Sequence, residues 1–352
     1  MAMPGAFCTV RPERLQACCT AILAACGMPE EDAALVATTL VEADLRGVHS
    51  HGTMRMPNYV RGLKAEDGIN PRPQIRVVTQ SDATAVLDAD RGMGQVAACR
   101  AMQLAIELAG RYGTGSVAVR NSNHCGALAY YAEMAVSARC IGFAVTNAGI
   151  NMAPWGGTQR MVGNNPLAYA IPTPRGWPIV LDMATSVVAG GKLDVAAMRG
   201  ESIPLGWALD KEGRPTTDPR AARAGSLLPV GGPKGYGLAV VLDILCGVLS
   251  GGRFGAGLGM RGSAHFFQAI QIERFTPYEA FLERIEQLIA QLKTCPTAPG
   301  VERILLPGEL EAELKARRLV EGIPLDEETV ERLEGLAAEL GLAGTPACAL
   351  RE

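Results

Sequence analysis

Four histidines occur in the 352 residues, and two of them, His49 and His51, stand one residue apart within residues 44–59, DLRGVHSHGTMRMPNY. Ser50 lies between them, Arg46 precedes them and Arg55 follows. An imidazole titrates near neutrality, so it gives or takes a proton in either direction of a reaction. A guanidinium holds a carboxylate through two parallel N–H donors, which an ammonium does not do. These types side by side point to proton transfer on a small anionic substrate. Gly47 and Gly52 punctuate the stretch. A helix is expected to end at Gly47 and another to begin beyond Ser50, which would set His51 and Arg55 four apart on one helical face.

Two more candidates stand at the ends of strand-like runs. His124 lies in the polar segment 121–126, NSNHCG, after the run 116–120, and Asp182 closes the apolar run 179–181. Loops after strands are where α/β proteins keep their sites. A carboxylate there either caps a helix or orients a histidine. Residues 231–237, GGPKGYG, lead into a helix and carry Lys234, a setting in which free N–H groups and a cation hold a phosphate. No Gly-Lys-Ser/Thr follows, so this is not a Walker sequence. Residues 257–262 match G-x-G-x-x-G, and 113–118 match a looser form. Each is preceded by a helix and followed by a strand, the reverse of the dinucleotide fingerprint, so both read as loop glycines and a Rossmann site is not expected. The His49-x-His51 spacing with His124 and Asp182 admits a second class, a metal-dependent hydrolase. Two histidines one apart are a weak ligand signal, and no metal is assigned.

Positioning these groups takes elements from the whole chain. Helices are expected over 10–26 and 29–45, and the first 75 residues read as nearly all helical, with no strand signal. Strands are then expected at 83–88, 116–120, 141–146, 167–171, 179–181 and 265–271, and helices at 95–111, 127–138, from 187 to about 199, 231–249 and 277–292. The tail is helical again, with Asp326 as an N-cap. The fold class is mixed α/β. Residues 1–75 with 275–352 form a discontinuous helical domain, and residues 76–274 a mixed-sheet domain carrying the chemistry.

Composition narrows the classes. The chain is 48% hydrophobic and 20% charged with a net charge of -3, a globular balance with material for about two domains. Acidic and basic residues are mixed, so no nucleic-acid stripe exists. The most apolar run, 237–251, is too short to span a bilayer and contains Asp243. The first twelve residues lack the basic-then-apolar pattern of a secretory leader. Ten cysteines are scattered without a C-x-x-C pair, so buried free thiols in a reducing cytoplasm are expected.

Taken in order, nine segments resemble the malate/L-lactate dehydrogenase family: 45–52 LRGVHSHG, 121–126 NSNHCG, 154–157 PWGG, 163–167 GNNPL, 182–186 DMATS, 206–210 GWALD, 215–219 PTTDP, 232–237 GPKGYG and 265–267 HFF. That family also includes sulfolactate and ureidoglycolate dehydrogenases, diketogulonate reductase and cyclic-imine reductases. The resemblance implies an NAD- or NADP-dependent oxidoreductase without a Rossmann domain, a homodimer, acting on a small 2-hydroxy acid or, alternatively, on ureidoglycolate or a cyclic imine. It assigns proton transfer to His51, with Ser50 and Asp182 in support, or to His124. It assigns the substrate carboxylate to Arg55, with Arg46 as the other candidate. Cofactor contacts carry over to Asp182, Met183, Ala184, Lys234, Gly308, Glu309 and Leu310. One departure from the family pattern is the shortened segment 250–264.

Overall fold

The computed structural model describes residues 7–258 and 262–351. The first six residues, half of the stretch read for a leader, and residues 259–261 of the 257–262 glycine motif lie outside the described residues.

A seven-stranded sheet forms the centre, in the spatial order 76–81, 84–88, 114–122, 263–271, 140–146, 167–171, 179–183. One neighbouring pair is parallel, Thr84–Asp88 with Thr114–Ser122, and the rest are antiparallel. Helix Gly94–Tyr112 makes the crossover between the parallel strands. It is alanine-rich for a reason. Ala97, Ala98, Ala101, Ala105 and Ala109 are fully buried against the sheet, and small side chains let helix and sheet approach closely. Gly115, on the strand beneath, marks the tightest approach: a Cβ there would lie 2.1 Å from the Ala105 carbonyl oxygen. Gly115 therefore serves helix–sheet contact, not a nucleotide. This topology is mixed, with a single parallel pair, and not doubly wound.

The second core joins the chain ends. Leu15, Ile22, Leu23, Val36, Leu40, Met56 and Val60 pack with Ile323, Leu325, Val330, Leu333 and Leu350. Strand Phe7–Val10 pairs antiparallel with Ile323–Asp326, which corrects the expectation of an N-terminal region without strands. Four residues are too few to show alternation, and the partner lies more than 300 residues away. Asp326 does occupy the N-cap position of helix Glu327–Glu339, but its carboxylate makes no capping hydrogen bond. Within the 275–352 segment expected in the helical domain, residues 278–307 lean on the sheet side instead. Arg139 sits over the Tyr278 ring at 4.9 Å, Arg175 pairs with Glu286, and Val180 N–H donates to the Pro307 carbonyl at 3.0 Å. A further small sheet of four short strands, 150–152, 162–163, 208–209 and 226–227, stands where the sequence reads as turns and a polar connection.

Replacing Gly115 by alanine forces the helix off the sheet. The expected loss is about 1–3 kcal/mol of unfolding free energy, the range for overpacking a close-packed core. Urea denaturation reads it, and an unchanged midpoint would show that the backbone opens without cost.

Candidate active site

Asp44 closes helix Glu30–Leu45 with its side chain buried. A buried carboxylate is costly unless its lone pairs are filled, and here they are. Oδ2 accepts from Thr53 N–H at 2.8 Å and from Thr53 Oγ1 at 2.7 Å, and Oδ1 lies 2.8 Å from His49 Nδ1. Arg318, from helix Glu309–Glu321, donates to His49 Nε2 at 3.2 Å and to the Asp44 carbonyl. A guanidinium has no acceptor, so His49 Nε2 is the accepting nitrogen and Nδ1–H donates to Asp44. Gly52 is a steric requirement of the same knot, since a Cβ there would meet Asp44 Oδ1 at 2.0 Å.

The knot shapes the chain between Asp44 and Met56. Instead of one helix restarting beyond Ser50, two 3₁₀ turns form, His49–His51 and Thr53–Arg55, separated by extended Gly52, before helix Met56–Lys64. His51 and Arg55 therefore do not share a regular helical face. They are still held together, because Arg55 Nε donates to the Ser50 carbonyl, while Ser50 Oγ lies 3.0 Å from His51 Nδ1. His49 has both ring nitrogens engaged away from His51, so the His-x-His spacing does not converge on one point.

His124 arrives from the sheet. Strand Thr114–Ser122 ends just before it, and Asn123 Nδ2 pins the loop to the carbonyls of Arg91 and Gly92. Gly94 makes room, since a Cβ there would stand 2.1 Å from the Asn123 carbonyl. The His124 ring stacks on His51, with centroids 5.6 Å apart and planes 20° apart. Its Nδ1 accepts from Gly126 N–H at 3.3 Å and lies 2.8 Å from Tyr59 Oη, which receives Gln95 Nε2–H at 3.0 Å. A backbone N–H only donates, so Nδ1 is a lone pair, Tyr59 donates to it, and the ring proton sits on Nε2. Tyr59 and Gln95 are the residues that sequence reasoning missed. Tyr59 carried a signal, being four residues past Arg55, whereas nothing marked Gln95.

His124 and Asp182 are exposed and His51 is half-buried, yet the surrounding protein desolvates all three. Desolvation, with Arg55 adding repulsion, pushes His51 down to about 4. Desolvation, then His51 and Arg55, pushes His124 down to about 3. Desolvation also raises Asp182 to about 6, against the N–H groups of Ala129 and Leu128 and the charge of Arg46. The fourth histidine, His265, is fully buried between Thr146 Oγ1 and Ser122 Oγ, each at 2.8 Å, and its burial takes it down to about 3. It staples three strands of the sheet behind the His124 loop.

Other expected residues fall into two groups. Asp182 Oδ2 accepts from Ala129 N–H at 2.8 Å. Among the described residues no hydrogen bond joins it to His51 or Ser50, so the expected carboxylate–histidine relay is not made there, and the histidine with a carboxylate partner is His49. Arg46 directs its fork at Glu133 and Glu42, which turns it away from an incoming carboxylate. The remaining positions cluster around the end of strand Ile179–Met183. Val230 N–H donates to the Thr185 carbonyl at 2.8 Å, bringing the 231–237 turn beside Asp182, Met183 and Ala184. Gly231 and Gly232 have φ of +62° and +66°, and exposed Lys234 begins helix Pro233–Asp243. Gly308 lies against Val180 from the other side, with Leu310 exposed. Glu309 is buried. Burial opposes its charge, but the Lys293 ammonium at 2.6 Å and the Leu306 N–H outweigh that and hold its carboxyl low. Among the described residues no three His, Cys, Asp or Glu side chains are grouped to hold a metal.

The histidine values give a sign for pH. His51, His124 and His265 lie below the ordinary 6.5 when folded. From about pH 6.5 down to 4 for His51, and down to about 3 for His124 and His265, the unfolded chain therefore takes up protons that the native rings refuse, and their contribution to stability is lost as pH falls through that window. Asp182, raised, works in the opposite direction as one group against three. The ring C–H resonances of these three histidines are expected to keep neutral-form shifts at pH 5.5. Titration of any of them near 6.5 would contradict the crowding described.

Comparison with known proteins agrees with this architecture. The sequence profile of the malate/L-lactate dehydrogenase family matches residues 10–334. The malate dehydrogenase of Pyrococcus abyssi is 44% identical over 336 residues, covering 92% of each chain. The ureidoglycolate dehydrogenase of Escherichia coli K12 is 37% identical, over 87% of this chain and 89% of that protein. The solved structure of sulfolactate dehydrogenase from Methanocaldococcus jannaschii superposes with a TM-score of 0.89 at 40% identity, covering 95% of this chain and 98% of the other. With its mixed sheet and with no Rossmann fingerprint in context, the chain belongs to the malate/L-lactate dehydrogenase family.

Proposed function

We propose that this protein interconverts a small 2-hydroxy acid and its 2-oxo acid, with NAD or NADP as hydride carrier and His51 as proton carrier. The observation that carries the reading is the stacked His51–His124 pair beside Arg55. In oxidation, the substrate hydroxyl gives its proton to His51 at Nε2, the ring nitrogen away from Ser50. The depressed His51 value keeps that lone pair available well below neutrality. His124 presents Nε2–H and hydrogen-bonds the same oxygen as negative charge develops on it. Burial holds the phenol of Tyr59 above its usual range, so it stays a donor to His124 Nδ1 and fixes that tautomer. Arg55 holds the substrate carboxylate and sets the C2 carbon in line for transfer.

The cofactor candidates suit a nicotinamide dinucleotide. Lys234 at the head of helix Pro233–Asp243, after two left-handed glycines, offers a cation and free N–H groups to a pyrophosphate. The end of strand Ile179–Met183, at Asp182, Met183 and Ala184, and the turn at Gly308, Glu309 and Leu310 flank it. A nicotinamide dinucleotide held there would supply the hydride acceptor in one direction and the donor in the other. We also propose a homodimer. Leu238, Val241, Ile244, Val248, Leu249 and Phe254 leave an apolar face exposed along residues 238–254, more than scattered surface residues account for.

The test is loss of absorbance at the NADH band with a panel of 2-oxo acids and a cyclic imine, NADH and NADPH separately, with and without chelator. Turnover of a 2-oxo acid insensitive to chelator is expected, and none with any 2-oxo acid overturns the substrate assignment. His51→Asn should lower kcat about 10²–10⁴-fold, the range of general acid–base catalysis, with cofactor affinity retained. Arg55→Lys should raise KM for the carboxylate substrate by about tenfold, because the fork is lost. An unchanged kcat removes His51 from the mechanism, and an unchanged KM moves the clamp elsewhere.

A further inference from the structure

Helix Pro12–Ala25 buries Cys18 in the helical core, and the final turn Pro346–Cys348 is packed against that helix. The two Sγ atoms are 3.1 Å apart, although the residues are 330 positions apart in sequence. Several independent contacts deliver the tail there. Leu350 is buried, Arg14 donates to the Ala349 carbonyl at 3.2 Å, and Arg351 pairs with Glu334 and Glu327 on helix Glu327–Glu339. The approach is therefore set by packing on both sides and not by the sulfurs alone. Van der Waals contact between two sulfurs lies well outside this distance, so the pair needs only a small closing movement to reach bonding geometry.

We propose that Cys18 and Cys348 form a disulfide that clasps the C-terminal tail to the first helix, with a peroxide as the two-electron oxidant. The partly exposed Cys348 meets the oxidant first. Its sulfur attacks one peroxide oxygen, the O–O bond breaks, and one water leaves as Cys348 becomes a sulfenic acid. Cys18 Sγ then attacks that sulfur, the S–O bond breaks, and the Cys18 proton leaves with the hydroxyl as a second water. Two thiols have lost two hydrogens and two electrons, and one peroxide has become two waters. Burial and the neighbouring sulfur hold the Cys18 thiol above its usual range, so it is not the sulfur that meets the oxidant, and its attack on the sulfenic sulfur relies on the short distance between the two. The clasp closes a ring of nearly the whole chain, the case in which a cross-link restricts the unfolded ensemble most.

The experiment treats the full-length protein with hydrogen peroxide in the absence of reductant. Non-reducing peptide mapping should show the Cys18 peptide joined to the Cys348 peptide, two mass units below their sum. Tm should rise by about 5 °C for a ring of this length in a chain of this size, and reductant should reverse both. Cys348→Ser, at a half-exposed site, should fold and lose both the cross-link and the shift, whereas Cys295→Ser, at an exposed cysteine, should keep both. Sulfinic or sulfonic acid on Cys348 with Cys18 still a thiol would overturn the proposal, as would a link from Cys348 to Cys19 or an unchanged Tm in the linked protein.

Discussion

The Asp44 carboxylate is 1% exposed at the end of a helix, and everything on the neighbouring loop answers to it. An ionisable group so placed costs several kcal/mol unless its oxygens are occupied. Thr53 and His49 occupy them, Gly52 stays bare to make room, and Arg318 closes the knot from a helix nearly 270 residues later. The outcome is a rigid double turn whose shape does not depend on helix propensity. Ser50, His51 and Arg55 project from a frame fixed on one side by the helical core and on the other by Arg318 of helix Glu309–Glu321.

The loop that carries His124 is fixed by a second constraint. Strand Ser263–Gln271, late in the chain, inserts between Thr114–Ser122 and Cys140–Thr146. Its His265 then reaches a hydroxyl on each neighbour. That ring is buried and satisfied, so it locks the sheet where the His124 loop departs. His265 has both ring nitrogens filled by protein, whereas His124 has only Nδ1 engaged among the described contacts. Low values for both follow from desolvation.

Much of the candidate site was legible because it is local. His51, Ser50 and Arg55 lie within six residues, His124 and Asp182 follow strand-like runs, and Lys234 follows a glycine turn; each is a pattern of neighbours in sequence. What stayed hidden depended on distant partners. Arg46 looked like a second clamp until Glu133 was found across from it. Asp182 looked like the orienter of His51, but backbone N–H groups at Leu128 and Ala129 take its carboxylate. Gln95 reads as one more helical residue, and only its contact with Tyr59 connects it to the His124 tautomer.

The sequence by itself determined the secondary elements with strong periodicity, the absence of a dinucleotide fingerprint in the right context, and the residue types gathered at the candidate site. These are settled by interactions within a few residues: side-chain spacing, backbone preference and turn glycines. Tertiary structure alone decided the strand order, the pairing of residues 7–10 with 323–326, and which of the arginines and carboxylates are taken up by protein partners. Those outcomes rest on contacts between segments distant in sequence, 53 residues for Ala129 and Asp182, 87 for Arg46 and Glu133 and more than 300 for the terminal strands, where the energy comes from burial and from filling buried polar groups, and no local pattern encodes the partner.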